Sequence, residues 1–213
     1  HGQCHIFERM LEVLRAGGIS DVSRQPFLPY KSAEENRIKQ WLAEHGCERN
    51  QFVLLHAGAS AKRPDKIWPH FDRLALALAN RGLEVIWIGG ESDRERNIRL
   101  AALTGINATA EFGIIDLAIL GRHARFAITN DSGPMHIASA VKTPVIGLFG
   151  PTHPRLGFSP LGSGDRALSL HLPCSPCSLH GEKPCKIHTH ACLKDLTVEC
   201  VIAEVEQHLQ RPV

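Results

Sequence analysis

The sequence predicts an α/β protein built on a Rossmann-like, doubly wound parallel sheet. Four short runs of apolar residues indicate buried strands, at 51–58, 84–90, 126–131 and 143–150. Helical patterns separate these runs, and strands that are apolar throughout and alternate with helices are typical of βαβ units. Such units have right-handed crossovers and cover both faces of the sheet with helices, which gives a doubly wound fold.

The chain before the first strand is predicted to hold two helices and a linker. Apolar residues recur at helical spacing over residues 6–14, and residues 19–30 carry two prolines and are interpreted as a linker. A polar helix is predicted over 32–44. Ser32, followed three residues later by Glu35, has the form of a capping box at its start.

Helices are predicted after each strand, at 70–80, 93–103, 114–122 and 134–141, and a closing helix at 198–209. The chain is therefore divided into two parts. Residues 1–48 form a joining segment of helix, linker and second helix. Residues 49–213 form the Rossmann-like domain, including a cysteine-rich segment at 174–193 and the closing helix.

Composition narrows the class of protein. The chain has 213 residues, 43% of them hydrophobic, and a net charge of +2 from 24 basic and 22 acidic residues. That balance argues against a partner bound through charge alone, such as nucleic acid. No apolar run reaches the roughly 18 residues of a membrane span, and no signal peptide is recognised. The first residue is His1, so we interpret the sequence as a piece of a longer or processed protein.

Seven cysteines are present, and most lie near the C-terminus. Without a secretory signal they favour a reduced, cytosolic protein over a disulfide framework. Four follow the spacing C-x2-C-x7-C-x6-C, with histidines interleaved, which suits tetrahedral zinc. The predicted metal ligands are Cys174, Cys177, Cys185 and Cys192. The alternative is a set of buried or reduced thiols beneath a loop.

Ligands of doubly wound sheets bind beyond the carboxyl ends of the strands, so the strand exits hold the candidate site. At the first exit, 56–70, the small residues Gly58, Ala59 and Ser60 let backbone N–H groups approach a ligand. Lys62 and Lys66 add positive charge before a helix begins. This combination suits a phosphate group, although a solvated basic loop is the alternative.

The second exit carries Glu91, placed where a carboxylate can accept hydrogen bonds from ribose hydroxyls. The alternative is that Glu91 or Asp93 caps the next helix. At the fourth exit, Thr152 and His153 follow Gly150-Pro151. We interpret His153 as part of a turn built for glycine and proline, and leave the role of Thr152 open.

The third exit is the densest in polar side chains. Asp131 or Ser132 is expected to cap the following helix, and Gly133 lets the backbone come close to a ligand. Pro134 suits the first turn, and the free N–H groups there form an anion site. His136 lies within that turn, on the ligand side if the turn faces outward.

Two common enzyme classes lose support. No GxGxxG follows the first strand, which argues against a nicotinamide or flavin dehydrogenase. No GxSxG motif is present, which argues against an α/β-hydrolase.

The four exits taken in order resemble the donor-binding half of glycosyltransferase family 9, typified by the ADP-heptose:lipopolysaccharide heptosyltransferases. The matching segments are "HAGAS" with K-x-W-P (56–69), "IGGESDRE" (88–95), "TNDSGPMHIASA" (129–140) and "TPVIGLFGPTHP" (143–154). The third is the most specific, with Ser139 in place of an alanine. The resemblance covers roughly residues 50–210, and "CHIFERMLEVLRAGGI" resembles the connection that follows the family's first domain. It implies the C-terminal domain of a GT-B glycosyltransferase, without its acceptor domain.

The resemblance also implies roles for single residues. Lys66 would neutralise the diphosphate leaving group, Glu91 would hold the adenosine ribose, and Asp131 would contact sugar hydroxyls, so that Lys66 and Asp131 are the expected catalytic pair. The expected donor contacts are Gly58, Ala59, Ser60, Lys66, Glu91, Asp131, Ser132, Gly133, Met135 and His136.

The predicted function is binding of an ADP-sugar, ADP-heptose by resemblance, for inverting transfer to a lipopolysaccharide core acceptor. Transfer would need no cofactor, with structural zinc as an option at the cysteines. The protein would be cytoplasmic, peripheral at the inner face of the cytoplasmic membrane. The acceptor domain of the family supplies the base, so this chain alone would bind the donor and turn it over poorly. Alternatives are an epimerase-like GT-B domain acting on nucleotide sugars and a non-catalytic nucleotide-binding module.

Overall fold

The computed structural model describes residues 5–22, 26, 28–60 and 63–210. Lys62 of the first exit and Cys4 lie outside these ranges. In the described residues six parallel strands form one sheet in the order β3-β2-β1-β4-β5-β6. Their bounds are β1 Phe52–His56, β2 Glu84–Trp87, β3 Ile106–Asn107, β4 Phe126–Asn130, β5 Val145–Leu148 and β6 Arg166–Leu168. The prediction of a parallel, doubly wound sheet is confirmed.

Helices connect the strands as predicted, with end positions shifted by one or two residues. They are α1 Ile6–Ala16, α2 Ser32–Glu44, α3 Phe71–Ala79, α4 Arg94–Ala101, α5 Ile114–His123, α6 Gly133–Ala140, α7 Ala191–Lys194 and α8 Val198–Leu209. The sequence analysis missed β3, β6 and the single-turn α7. Both missed strands lie at sheet edges, and neither has the long apolar run by which the other four were found.

The start of α2 differs from the predicted capping box. The helix begins at Ser32 as predicted, but Lys31 and not Ser32 occupies the extended N-cap position. The Glu34 carboxylate accepts a hydrogen bond of 2.6 Å from the Lys31 backbone N–H. Ser32 is therefore the first helical residue and not the cap, and Glu35 pairs with Lys39 at 2.9 Å.

The core lies on both faces of the sheet. Because side chains alternate along a strand, Val53 and Leu55 of β1 pack in one apolar layer, whereas Phe52 and Leu54 pack in the other. Helices α3 and α8 cover the first layer, and α2, α5 and α6 cover the second. Helix α2 thus packs on the sheet, and the domain boundary at residue 48 stays a prediction.

No helix among the described residues is long and apolar enough to cross a membrane.

Candidate functional site

A cavity of about 360 Å³ opens at the carboxyl edge of the sheet, where the chain leaves β1, β2, β3 and β4. Its lining residues are His56, Ala59, Ser60, Ile88, Gly89, Gly90, Ala108, Phe112, Gly113, Ile114, Leu117, Ser132, Gly133 and Pro134. The lining combines apolar side chains, among them an aromatic ring, with small residues and the first turn of α6. This cavity, called the donor cleft below, can hold a flat apolar ring next to an anion.

The donor cleft gathers part of the predicted set. Ala59, Ser60, Ser132 and Gly133 line it. The apolar wall from Phe112, Ile114 and Leu117 was missed, because it follows the two-residue strand β3, which leaves no apolar run in the sequence. The helical pattern that starts at Ile114 could have indicated it, since a helix of a βαβ unit follows a strand exit.

Lys66 and Asp131 form an ion pair that joins the first and third exits. Lys66 Nζ lies 2.6 Å from Asp131 Oδ2, and the two side chains are only 13% and 11% exposed. Thr152 of the fourth exit donates a hydrogen bond of 2.8 Å to the same carboxylate oxygen. The structure thus gives Thr152 a place beside the predicted pair. His153 instead accepts the N–H of Arg155 through Nδ1, as a turn residue does.

The cysteine-rich segment reaches the same pair. Gly181 has a positive φ of 76°, and a Cβ at this position would lie 2.9 Å from Lys66 Cδ. The backbone of that segment therefore packs on the stem of Lys66, and a side chain at residue 181 would displace it.

Asn130, at the end of β4, fixes the first exit, and the sequence analysis passed over it. The Trp68 backbone N–H donates to Asn130 Oδ1 at 3.0 Å, and Asn130 Nδ2 donates to the Gly58 carbonyl at 2.8 Å. Asn130 has no exposed surface. The K-x-W-P loop and the glycine turn are thus both tied to β4. A polar residue ending an otherwise apolar strand is the sequence feature that could have indicated this role.

The expected caps of α6 are absent. Ser132 occupies the N-cap position without a side-chain cap hydrogen bond. Its hydroxyl donates to the Asn130 carbonyl at 3.0 Å and lies 3.0 Å from His56 Nδ1. The Asp131 carboxylate points to Lys66 and Thr152 instead. The prediction that Asp131 or Ser132 caps the helix is wrong, and the first turn of α6 keeps its backbone donors uncapped by these side chains.

Two predicted donor contacts, Met135 and His136, are placed differently. The Met135 side chain is fully buried in the core, and a Cβ at Gly147 would lie 2.7 Å from its sulfur. The Met135 side chain therefore cannot contact a ligand in the cleft, and the Met135 backbone N–H already donates to the Ser132 carbonyl at 3.2 Å. His136 is exposed and lines a separate, larger groove of about 1780 Å³ with His5 and Phe158. Desolvation by the surrounding protein lowers the pKa of His136, and the negative charge of Asp131 opposes part of this shift.

The two carboxylates at the second exit, Glu91 and Asp93, differ in exposure and in the groups they contact. Glu91 is exposed and makes two contacts of 2.6 Å with Arg94, and this hydrogen bonding to Arg94 lowers the pKa of Glu91. Asp93 is buried, with one carboxylate oxygen 3.6 Å from His56 Nε2. Neither carboxylate caps α4, because Asp93 stands at the N-cap without a side-chain cap bond. The Asp93 carboxylate does accept the Gly90 N–H at 3.1 Å and so caps the single 3-10 turn Glu91–Asp93 that leads into α4. The alternative of capping is therefore confirmed for Asp93 at that turn, and not for Glu91.

The four cysteines of the predicted zinc site lie near one another as free thiols. Cys177, Cys185 and Cys192 are buried. Burial raises the pKa of the Cys192 thiol to about 11, with a further contribution from the charges of the other three cysteines. Backbone N–H groups, led by that of His190, lower the pKa of Cys185. Within the ranges the structure describes, however, no three His, Cys, Asp or Glu side chains are arranged to hold a metal ion.

Comparison with known proteins gives a consistent family. The model described as "Glycosyltransferase family 9 (heptosyltransferase)" matches residues 2–188. Lipooligosaccharide heptosyltransferase 2 of Campylobacter jejuni serotype O:6 is 39% identical over 197 residues, which cover 84% of this chain and 56% of that protein. Lipopolysaccharide heptosyltransferase 3 of Escherichia coli K12 is 33% identical over 162 residues, 71% of this chain and 45% of that protein.

Solved structures share the fold. E. coli ADP-heptose lps heptosyltransferase II has a TM-score of 0.69 at 26% identity, covering 88% of this chain and 54% of that one. A family 9 glycosyl transferase from Veillonella parvula has a TM-score of 0.81 at 22% identity, covering 97% of this chain and 60% of that one. The chain therefore spans about half the length of the curated relatives above.

Proposed function

The chain belongs to glycosyltransferase family 9, and from that premise we propose that it binds ADP-heptose as the donor half of a heptosyltransferase. The acceptor would be a lipopolysaccharide core, transfer would invert the anomeric centre, and the protein would work peripherally at the inner face of the cytoplasmic membrane. The observation that carries the proposal is the donor cleft, whose lining joins apolar side chains to the start of α6. The Lys66–Asp131 pair does not line the cleft, but Asp131 directly precedes Ser132, which does. The family resemblance inferred from the four strand exits is confirmed.

The proposed chemistry follows from the charges at this edge. Cleavage of a glycosyl–phosphate bond builds negative charge on the diphosphate, and donors already in place stabilise that charge most. Backbone N–H groups of the first α6 turn and the Lys66 ammonium provide such donors. Lys66 is held at Asp131 before donor binds, so its charge is in position. Asp131, also bound by Thr152, would then face the sugar hydroxyls.

Glu91 can accept hydrogen bonds from ribose hydroxyls without losing a strong interaction within the protein. Its carboxylate pairs with Arg94 on the protein surface, with the Glu91 side chain 72% exposed. Solvent screens such exposed ion pairs and makes them weak, so ribose hydroxyls can share or replace the Arg94 contact. The Glu91 role stays a proposal.

The acceptor site and the base belong, in this proposal, to a further domain that the longer relatives carry. We expect the chain by itself to bind ADP and to transfer sugar slowly or not at all. Adding the complementary acceptor domain should restore transfer. Full transferase activity of the isolated chain would contradict this division of labour.

ADP selectivity tests the donor assignment. We expect calorimetric titration to give tighter binding of ADP than of UDP or NAD, because family relatives are ADP-heptose enzymes by name. Preference for UDP would instead favour an epimerase-like GT-B domain. Binding of ADP without sugar transfer by the two-domain protein would favour a non-catalytic nucleotide module.

Zinc at the cysteines stays a prediction, and no step of the proposed reaction passes through a metal. The thiols as they lie do not form a ready-made site within the described residues, although their charges influence one another. If zinc binds, protein purified without added metal should contain it, and Cys185→Ser should lose it. Cys47→Ser is the matched control, since Cys47 is a buried thiol of a different core layer. Metal-free wild-type protein would contradict the prediction.

A further inference from the structure

A buried chain of polar groups runs beneath the donor cleft and links three strand exits. His56, the last residue of β1, lies 3.0 Å through Nδ1 from the Ser132 hydroxyl and 3.6 Å through Nε2 from the Asp93 carboxylate. His56 and Asp93 are 5% and 4% exposed, and His56 also lines the cleft. Buried polar groups in such a chain have few alternative partners, so the state of one constrains the next.

The Asp93 carboxylate is fixed in place from several sides. Gly90 N–H donates to it at 3.1 Å, and Arg96 donates at 2.8 Å. A Cβ at Gly58 would overlap this carboxylate, so a glycine is needed for Asp93 to enter. Burial by itself would raise the pKa of Asp93, but the contact with His56, the Gly90 N–H and Arg96 hold that pKa below its usual value. A charged carboxylate therefore faces the imidazole.

The hydrogen bonds of Ser132 allow two protonation states of His56. The serine hydroxyl has one proton and lies 3.0 Å from both the Asn130 carbonyl and His56 Nδ1, so it can donate to either of them. When the hydroxyl donates to Asn130, the contact with His56 needs a proton on Nδ1, and a second proton on Nε2 facing Asp93 gives an imidazolium. In the other state Ser132 donates to Nδ1, and a neutral His56 carries its proton on Nε2, 3.6 Å from the Asp93 carboxylate.

We propose that His56 is a proton-binding positioning residue of the donor site, which takes up a proton when a nucleoside diphosphate enters the cleft. This inference rests on the proposed function. An anion next to the imidazole favours its charged form, and the charged form places a positive charge at the cleft floor.

The charged groups around His56 already balance one another in pairs. Asp93 and Arg96 face each other and are oppositely charged, and Ser132 is neutral at working pH. Lys66 and Asp131, the other pair at this edge, also balance each other. Lys66 is placed to offset part of a diphosphate's charge at one side of this edge, and a proton on His56 would add a second positive charge at the cleft floor.

Proton uptake can be measured directly in the intact chain. ADP is titrated by calorimetry near pH ~7.5 in buffers of different ionisation enthalpy, and the dependence of the heat on buffer gives the protons bound. We expect net uptake with ADP and none with adenosine, which lacks the diphosphate. ADP affinity should also fall as pH rises, because the protonated form is the one that binds better.

His56→Gln should abolish the uptake and weaken ADP binding by about tenfold below neutral pH, since glutamine can bond to Ser132 but carries no charge. His45→Gln, on the exposed end of α2, is the matched control and should keep the uptake. Wild-type protein that binds ADP without proton uptake, or uptake that survives His56→Gln, would overturn the inference and leave the proposed function intact. Failure of the wild type to bind ADP would overturn the proposed function and this inference with it.

Discussion

Replacing Lys66 with methionine is expected to weaken ADP binding by roughly 10- to 150-fold while leaving adenosine binding nearly unchanged. A hydrogen bond to a charged group is worth about 1.5–3 kcal/mol, and the diphosphate would lose one. In the wild type, Lys66 Nζ lies 2.6 Å from the Asp131 carboxylate. The variant removes this cation and leaves the carboxylate unpaired by it. That unpaired negative charge would repel the diphosphate. Calorimetry with ADP and adenosine measures both affinities.

The double variant Lys66→Met with Asp131→Asn separates the two contributions. Removing the carboxylate removes the repulsion, so ADP should bind more tightly to the double variant than to Lys66→Met alone. The hydrogen bond from Thr152 can persist to asparagine, which limits rearrangement. An ADP affinity for Lys66→Met within about twofold of wild type would show that Lys66 does not contact the diphosphate, since even a weak neutral hydrogen bond is worth about 0.5 kcal/mol.

The central strands of the sheet were predictable because they are buried on both faces. Strands β1, β4 and β5 contain only buried residues, and such strands appear as unbroken apolar runs. The edge strands were missed because they lack this burial on both faces. The two residues of β3 and the three of β6 are half-buried and have a neighbouring strand on one side only.

The placement of candidate site residues was predictable where it depends on consecutive residues. Gly58, Ser132 and Gly133 lie in short motifs at strand exits, and an exit places them at the ligand edge of any parallel sheet. Contacts that join different exits were not predictable. The partner of His56 depends on β1 lying between β2 and β4, which the sequence pattern does not specify. Side-chain direction also escaped: one turn of α6 sends Met135 into the core and exposes His136.

Asn130 is expected to be the polar side chain on which the site's stability depends most. Asn130→Ala would leave the Trp68 N–H and the Gly58 carbonyl without their partner, and both residues are buried. Each buried polar group left unpaired costs about 1–3 kcal/mol, so the free energy of unfolding should fall by roughly 2–5 kcal/mol. For a chain of this size that loss lowers the melting temperature by roughly 5–15 °C. Urea denaturation and thermal melting measure both quantities.

Asn80→Ala provides the matched control, because Asn80 is an exposed residue at the end of α3. Its unfolding free energy should stay within about 0.5 kcal/mol of wild type. Because Asn130 ties the loop that carries Lys66 to the turn at Gly58, its loss should also weaken ADP binding at temperatures where the variant is fully folded. A stable Asn130→Ala protein would mean that water or a backbone shift replaces both hydrogen bonds. Normal stability with impaired ADP binding would then assign Asn130 to alignment of the two loops and not to the fold.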